Sequence, residues 1–200
     1  MVIEINNKKF HFRIILKTSN IMKVRCDWAE QHSLLIDYHD NEWGIPKYDD
    51  QELFEMLCLE SAQAGLSWLT ILKKRENYRK AFDDFDIQKV AQYDTNDVHN
   101  LLSNSGIIRN KLKINAFIRN AQCVQIIQQE KGSFANYIWS YVNHHPIKNH
   151  FTKIEDVPAK TALSEKMSKG LKKRGFKFVG PVICYSFTQS IGMIDDHLTK

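Results

Sequence analysis

The 200-residue sequence has little of what secreted and membrane-embedded proteins require. Its four cysteines, Cys26, Cys58, Cys123 and Cys184, form no CxxC pair and stand in helical or apolar contexts. That argues against a disulfide framework and for a reducing, intracellular home. No apolar run approaches the roughly 18–20 residues of a membrane span, and the early FHFRIIL stretch carries charge and no small-residue cleavage site. Prolines number only four, no NG or DG dipeptide marks a hairpin turn, and no stretch sustains apolar–polar alternation, so an extended β architecture is excluded. Strong charge is missing too: of the formal +5, residues 1–21 carry +3 through Lys8, Lys9, Arg13 and Lys17 against Glu4. Global charge therefore makes no case for nucleic acid, and only a local cluster could.

What the chain does have is helix punctuation. Asp49 and Glu52 predict a capping box, after which Leu53, Leu57, Glu60 and Ala64 recur at helical spacing. Gly65 predicts the end of that helix, and Ser67 can cap a second that runs through WLTILKKRENYRKAF. Further helical patterns follow on either side of SNSGII, then in FANYIWSYV, LSEKMSKGLKKRG and GPVICYSFTQSIG, with no internal repeat. The expected fold is an all-α bundle of short helices, with 43% hydrophobic residues sufficient for one core over residues 22–200. Residues 1–21 differ in character, and Met22 stands just before KVRCDW, so an alternative start or a flexible extension is expected there.

One residue breaks the apolar pattern. Glu60 shares its helix face with aliphatic side chains, and burying an ionised carboxylate is expensive unless something pairs with it. Trp28, Tyr38, Trp43 and Trp68 crowd the same part of the sequence. Planar side chains beside an acceptor carboxylate suit a flat, electron-poor ring, although aromatics on their own equally suit a plain core.

Two basic elements follow. In SNSGIIRNK, Gly106 is expected to take positive φ between two helices, with Ile107 and Ile108 anchoring the turn and Arg109, Lys111 and Lys113 near exposed helix N–H groups. Such a hairpin binds phosphate, while the same spacing also fits an ordinary glycine-capped turn. In SKGLKKRGFKFVG, Lys169, Lys172, Lys173, Arg174 and Lys177 interleave with Phe176 and Phe178, which fits either a DNA-backbone contact or a solvated helix end. Cys26, His39 and His197 have zinc-ligand chemistry but no finger-like regularity.

The blocks CDW, DYHDNEWGIP, LFEMLCLESAQAGLSWLTILKKRENYRKAF, SGIIRNKLKI, WSYVNHHP, LKKRGFKFVGPVICYSF and DDHL resemble the DNA-3-methyladenine glycosylase I family across residues 22–200. The resemblance implies an all-α helix-hairpin-helix glycosylase fold that flips 3-methyladenine out of double-stranded alkylated DNA and hydrolyses its glycosidic bond. It assigns Glu60 as the catalytic carboxylate contacting the base, Tyr38 and Trp68 as its stacking partners, and Trp28 and Trp43 as neighbours. Gly106, Arg109, Lys111, Lys172, Lys173 and Arg174 become the DNA-backbone set. It also implies a structural zinc ion joining the N- and C-terminal segments through Cys26, His39 and His197. The family's fourth ligand, a cysteine, falls beyond Lys200. Leu35 stands where relatives carry another pocket aromatic, so a leaner stacking surface is expected.

The segment NKLKINAFIRNAQ offers no carboxylate after the hairpin to activate water, which predicts a monofunctional enzyme without strand-cleaving activity. Two rivals compete with this reading. A non-catalytic helix-hairpin-helix module would keep DNA binding without base release. A zinc hydrolase is disfavoured because the metal candidates lie at the two chain ends and no HExxH stands on a helix. A monomer is the expected state for a protein that scans DNA.

Overall fold

The computed structural model describes residues 25–199, so the expected extension over residues 1–21 lies outside the described residues. The chain is mostly helical: α1 (Ser33–Asn41), α2 (Asp50–Gln63), α3 (Trp68–Leu72), α4 (Arg75–Ala81), α5 (Ile87–Val90), α6 (Thr95–Ser103), α7 (Lys111–Lys131), α8 (Phe134–Trp139), α9 (Ala162–Lys173) and α10 (Pro181–Ser190). One departure from all-α is a two-residue parallel pair, β1 (Ile147–Lys148) with β2 (Ile194–Asp195), which pins the C-terminal segment beside the loop after α8.

Helix α2 is the centre of the molecule. Asp49 caps it by accepting from the Gln51 and Glu52 N–H groups, the half of the expected box that the helix uses. Every residue from Leu53 to Ala62 is buried, so α2 is enclosed on all sides rather than amphipathic. Asp50, in its first turn, accepts from the backbone N–H groups of Phe134 and Ala135 at 2.8 Å, which ties the start of α8 to α2. Two carboxylates lie inside this helix. Glu55 is neutralised by Arg75 and Arg79, and Arg75 also pairs with Glu42 at 2.6 Å. Glu60 takes part in no ion pair among the described residues.

The stretch WLTILKKRENYRKAF is not one helix. It breaks at Lys73–Lys74 into α3 and α4 because tertiary contacts outweigh local propensity there. The Lys74 ammonium is drawn onto the carbonyls of Ser105 and Gly106 at 3.1 Å, while the next residue, Arg75, turns inward to Glu42 and Glu55.

The hairpin between α6 and α7 forms, but Gly106 does not adopt the expected positive φ. Space explains the glycine instead. A Cβ there would lie 2.9 Å from Asn104 Oδ1 and 3.0 Å from Asn77 Cβ, closer than real Cβ contacts allow.

The loop after α9 is held by side chains from elsewhere. Asn120 donates to Lys177 O and accepts from Lys177 N, and Ser61 donates to Phe178 O. These bonds fix where α10 begins, with Gly180 as its N-cap and Pro181 at its first position.

Candidate active site

Helices α1, α2, α3 and α10 converge on a cavity of about 510 Å³. Tyr38 enters from α1, Glu60 from the last turns of α2 and Trp68 from the first residue of α3. What lets Glu60 and Trp68 share this space is Gly65, at φ +78°, which reverses the chain between two helices; no atom crowds its Cβ position, so conformation alone demands glycine. Ser67 then caps α3 by accepting from Thr70 N.

The aromatic set assembles around that carboxylate. Tyr38 and Trp68 have ring centroids 5.1 Å apart at 54°, and Trp28 lies 6.4 Å from Tyr38. Trp43 packs edge-on against Trp28 at 5.4 Å and faces His39 and His197 on its far side. Leu35 lines the cavity beside Tyr38. Trp68 Nε1 is a buried donor with no hydrogen-bond partner among the described residues.

Among the described residues, Glu60 is the only carboxylate lining the cavity, and it is 4% exposed. Burial pushes it up to about 8, opposed by a hydrogen bond from Ser190. The neighbouring Tyr38 phenol is held well above its ordinary value, first by burial and then by the Glu60 charge. Burial thus favours the protonated form of both groups.

Sequence reasoning missed the opposite wall. Val182, Tyr185, Ser186 and Gln189 of α10 line the cavity at i, i+3, i+4 and i+7, one face of a helix. The signal was present in GPVICYSFTQS, where Tyr, Ser and Gln recur on one side of an apolar helix. The segment around Ile154, Val157 and Pro158 adds a third side and carried no comparable signal.

The basic candidates divide. Arg109, Lys111, Lys172 and Lys173 are exposed. Arg174 is committed to Glu130 at 2.7 Å and lies 4.7 Å over the Tyr137 ring. Lys113 is buried, donating to Ala62 O and Ala64 O, and Phe176 stacks on Phe134 in the core, so neither faces a ligand. The N–H groups of Leu112 and Lys113 are capped by Asn110.

Cys26, His39 and His197 come together where the two ends of the described chain meet. The Cys26 N–H points at His39 Nε2 at 3.4 Å, and the two imidazoles lie edge-on at 4.6 Å. His197 spends Nε2 on His39 O at 3.0 Å and Nδ1 on Asp195 at 2.7 Å, while His39 Nδ1 faces Asp40 at 3.0 Å. His197 Nε2 and Nδ1 and His39 Nδ1 thus face oxygen acceptors, and His39 Nε2 accepts from the Cys26 N–H, so in this arrangement the ring nitrogens serve hydrogen bonds. Among the described residues, no group of three or more His, Cys, Asp or Glu side chains is arranged as a metal site.

Comparison with known proteins bears on what this cavity is. Residues 28–200 match the methyladenine glycosylase family. The chain belongs to that family. DNA-3-methyladenine glycosylase of Haemophilus influenzae is 49% identical over 177 residues, covering 88% of this chain and 96% of that protein. DNA-3-methyladenine glycosylase 1 of Escherichia coli is 51% identical over 174 residues, covering 87% and 93%. A crystal structure of 3-methyladenine DNA glycosylase I superposes with a TM-score of 0.86 at 50% identity, covering 88% of this chain and 97% of that one. The Staphylococcus aureus enzyme, solved to explain 3-methyladenine recognition, gives 0.85 at 41% identity, covering 88% and 94%.

Proposed function

We infer that this family member is a monofunctional DNA glycosylase that hydrolyses the N-glycosidic bond of 3-methyladenine in alkylated DNA, the opening step of base excision repair. The observation that carries the reading is Glu60, among the described residues the only carboxylate in an aromatic-lined cavity, buried there without an ion-pair partner. Methylation at N3 makes the adenine cationic. A cationic base entering between Tyr38 and Trp68 supplies the charge that Glu60 lacks, and its arrival favours the ionised carboxylate.

The chemistry needs little more. As the glycosidic bond breaks, its electron pair moves onto the base and cancels its charge, positive charge develops at C1′, and water adds there and releases a proton to solvent. A leaving group that departs neutral needs no strong acid. Catalysis then rests on extrusion, orientation and the field of Glu60. Extrusion costs about a few kcal/mol of stacking and pairing, less for a damaged base, and the aromatic walls offset part of it. Among the described residues no lysine lines the cavity, and Lys113 is turned into the fold, which supports hydrolysis without a covalent amine intermediate.

Duplex DNA is the substrate form we propose, held by the exposed Arg109, Lys111, Lys172 and Lys173 by backbone neutralisation, with the protein acting as a monomer. No helix among the described residues is long and apolar enough to cross a membrane. We propose structural zinc at Cys26, His39 and His197, supported by their donor chemistry and by their meeting where the two ends of the described chain come together.

Methylated duplex DNA incubated with the protein, followed by chromatography of the released bases, tests this reading. Free 3-methyladenine is expected, with 7-methylguanine left largely in place. DNA retention without release at high enzyme concentration would support the non-catalytic module instead.

A further inference from the structure

A buried carboxylate outside the base-contacting set organises the newly seen wall. Asp196, just after β2, is 0% exposed. Its Oδ2 accepts from Tyr185 Oη and from Gln189 Nε2, both at 2.6 Å, and its Oδ1 accepts from Asn149 Nδ2 at 2.7 Å. Tyr185 and Gln189 both line the cavity. Asp196 does not line it, so any influence it has on a ligand passes through those two side chains.

The chemistry of the pair fixes the orientation of an amide. A carboxylate accepting three hydrogen bonds must face the nitrogen end of Gln189, which leaves Oε1 as the free end. No described residue donates to Gln189 Oε1, yet it is not among the buried atoms lacking a partner, so it is open to solvent. The amide cannot turn over without setting its oxygen against the Asp196 oxygens. The Gln189 backbone is held as well, its carbonyl accepting from Gly44 N at 3.0 Å.

We propose that Gln189 is a specificity-determining residue that presents Oε1 to the exocyclic amine of an adenine-type base, and that Asp196 is the positioning residue that fixes it. This rests on the reading of the cavity as a base pocket. With Glu60 in its ionised form, Glu60 and Gln189 Oε1 then give the cavity two acceptors that can be matched to an amino group. A guanine-type base carries a carbonyl oxygen at the corresponding position, so acceptor would meet acceptor. A site built to accept from an amine rejects an analogue that lacks it more strongly than an apolar pocket can.

Binding of the free bases tests the proposal without relying on cleavage. Quenching of tryptophan fluorescence is titrated with 3-methyladenine and with 3-methylguanine for the wild-type chain, Asp196→Asn and Gln189→Met. The wild type should prefer 3-methyladenine by at least about tenfold. Asp196→Asn supplies a donor, allows the Gln189 amide to turn over, and should narrow that preference by about tenfold. Gln189→Met should weaken 3-methyladenine by about tenfold and leave 3-methylguanine bound at least as tightly as before, since the opposing acceptor is gone. Merely structural damage would weaken both bases alike, and if Asp196→Asn does not fold, the Gln189→Met ratio decides. An unchanged ratio in the folded variants, or no preference in the wild type, overturns the proposal even if 3-methyladenine is released from DNA. Release failing while the ratios shift as expected would sink the glycosylase reading and leave this one standing.

Discussion

Lys113 reaches from the first turn of α7 to the end of α2, where its Nζ lies 2.7 Å from both Ala62 O and Ala64 O. The last carbonyls of a helix lack internal partners, and a cation at that end satisfies them. Because Gly65 and Trp68 follow immediately, the same contact holds the turn that brings Trp68 to Glu60. Lys113→Met should destabilise the fold by about 2 kcal/mol, leaving two part-buried carbonyls unsatisfied. Urea unfolding measures that loss. Binding of free 3-methyladenine should weaken in parallel, because the stacking wall loses its anchor.

The Glu60 carboxyl gives stability a definite pH dependence. Its folded value, about 8, lies above the ordinary 4.5, so between these two the unfolded chain has released a proton that the folded chain keeps. Stability therefore falls as pH rises from about 4.5 to about 8 and is flat in this respect above that. Glu60→Gln should remove this contribution, leaving thermal midpoints higher than wild type at pH 8 and similar at pH 4.5. Catalysis should run the opposite way: kcat/KM for base release should climb as pH approaches 8, since the ionised carboxylate receives the cationic base.

Charge on the exposed surface should divide by how each residue is already engaged. Arg109→Ala and Lys111→Ala should each lower the slope of log affinity for duplex DNA against log salt by about 1. Arg174→Ala should move it less, because that guanidinium is held by Glu130 and Tyr137. Fluorescence anisotropy over a salt series reads all three.

Removing Arg75 tests the other buried carboxylate of α2. Its guanidinium serves Glu42 and Glu55 together. Arg75→Met should destabilise by about 3 kcal/mol, because it leaves Glu42 without its cation and Glu55 with Arg79 alone, with equilibrium unfolding as the measurement.

Much of this site was legible in the sequence because its parts are local. Asp49, Gly65 and Ser67 announce the ends of α2 and α3, and Glu60 stands out against its apolar neighbours. The break at Lys73–Lys74 was not legible, since it follows from Glu42, Glu55 and the carbonyls of Ser105 and Gly106, all remote in sequence. The place of Gly106 between two helices was legible but its reason was not: the sequence suggests a positive φ, whereas crowding by Asn77 is a tertiary fact. The α10 wall was hidden by distance, with Gln189 lying more than a hundred residues after Glu60. Asp196 passed as part of a terminal motif until its partners Tyr185, Gln189 and Asn149 were seen around it.

The central claim is that Glu60 is the group that reads the cationic base. The most direct measurement is the single-turnover rate of 3-methyladenine release from methylated duplex DNA by the wild-type chain and by Glu60→Gln, alongside their unfolding midpoints. Release by the wild type is expected, with a loss on the order of a hundredfold in Glu60→Gln and no loss of stability. Equal rates in the two folded proteins would contradict the account.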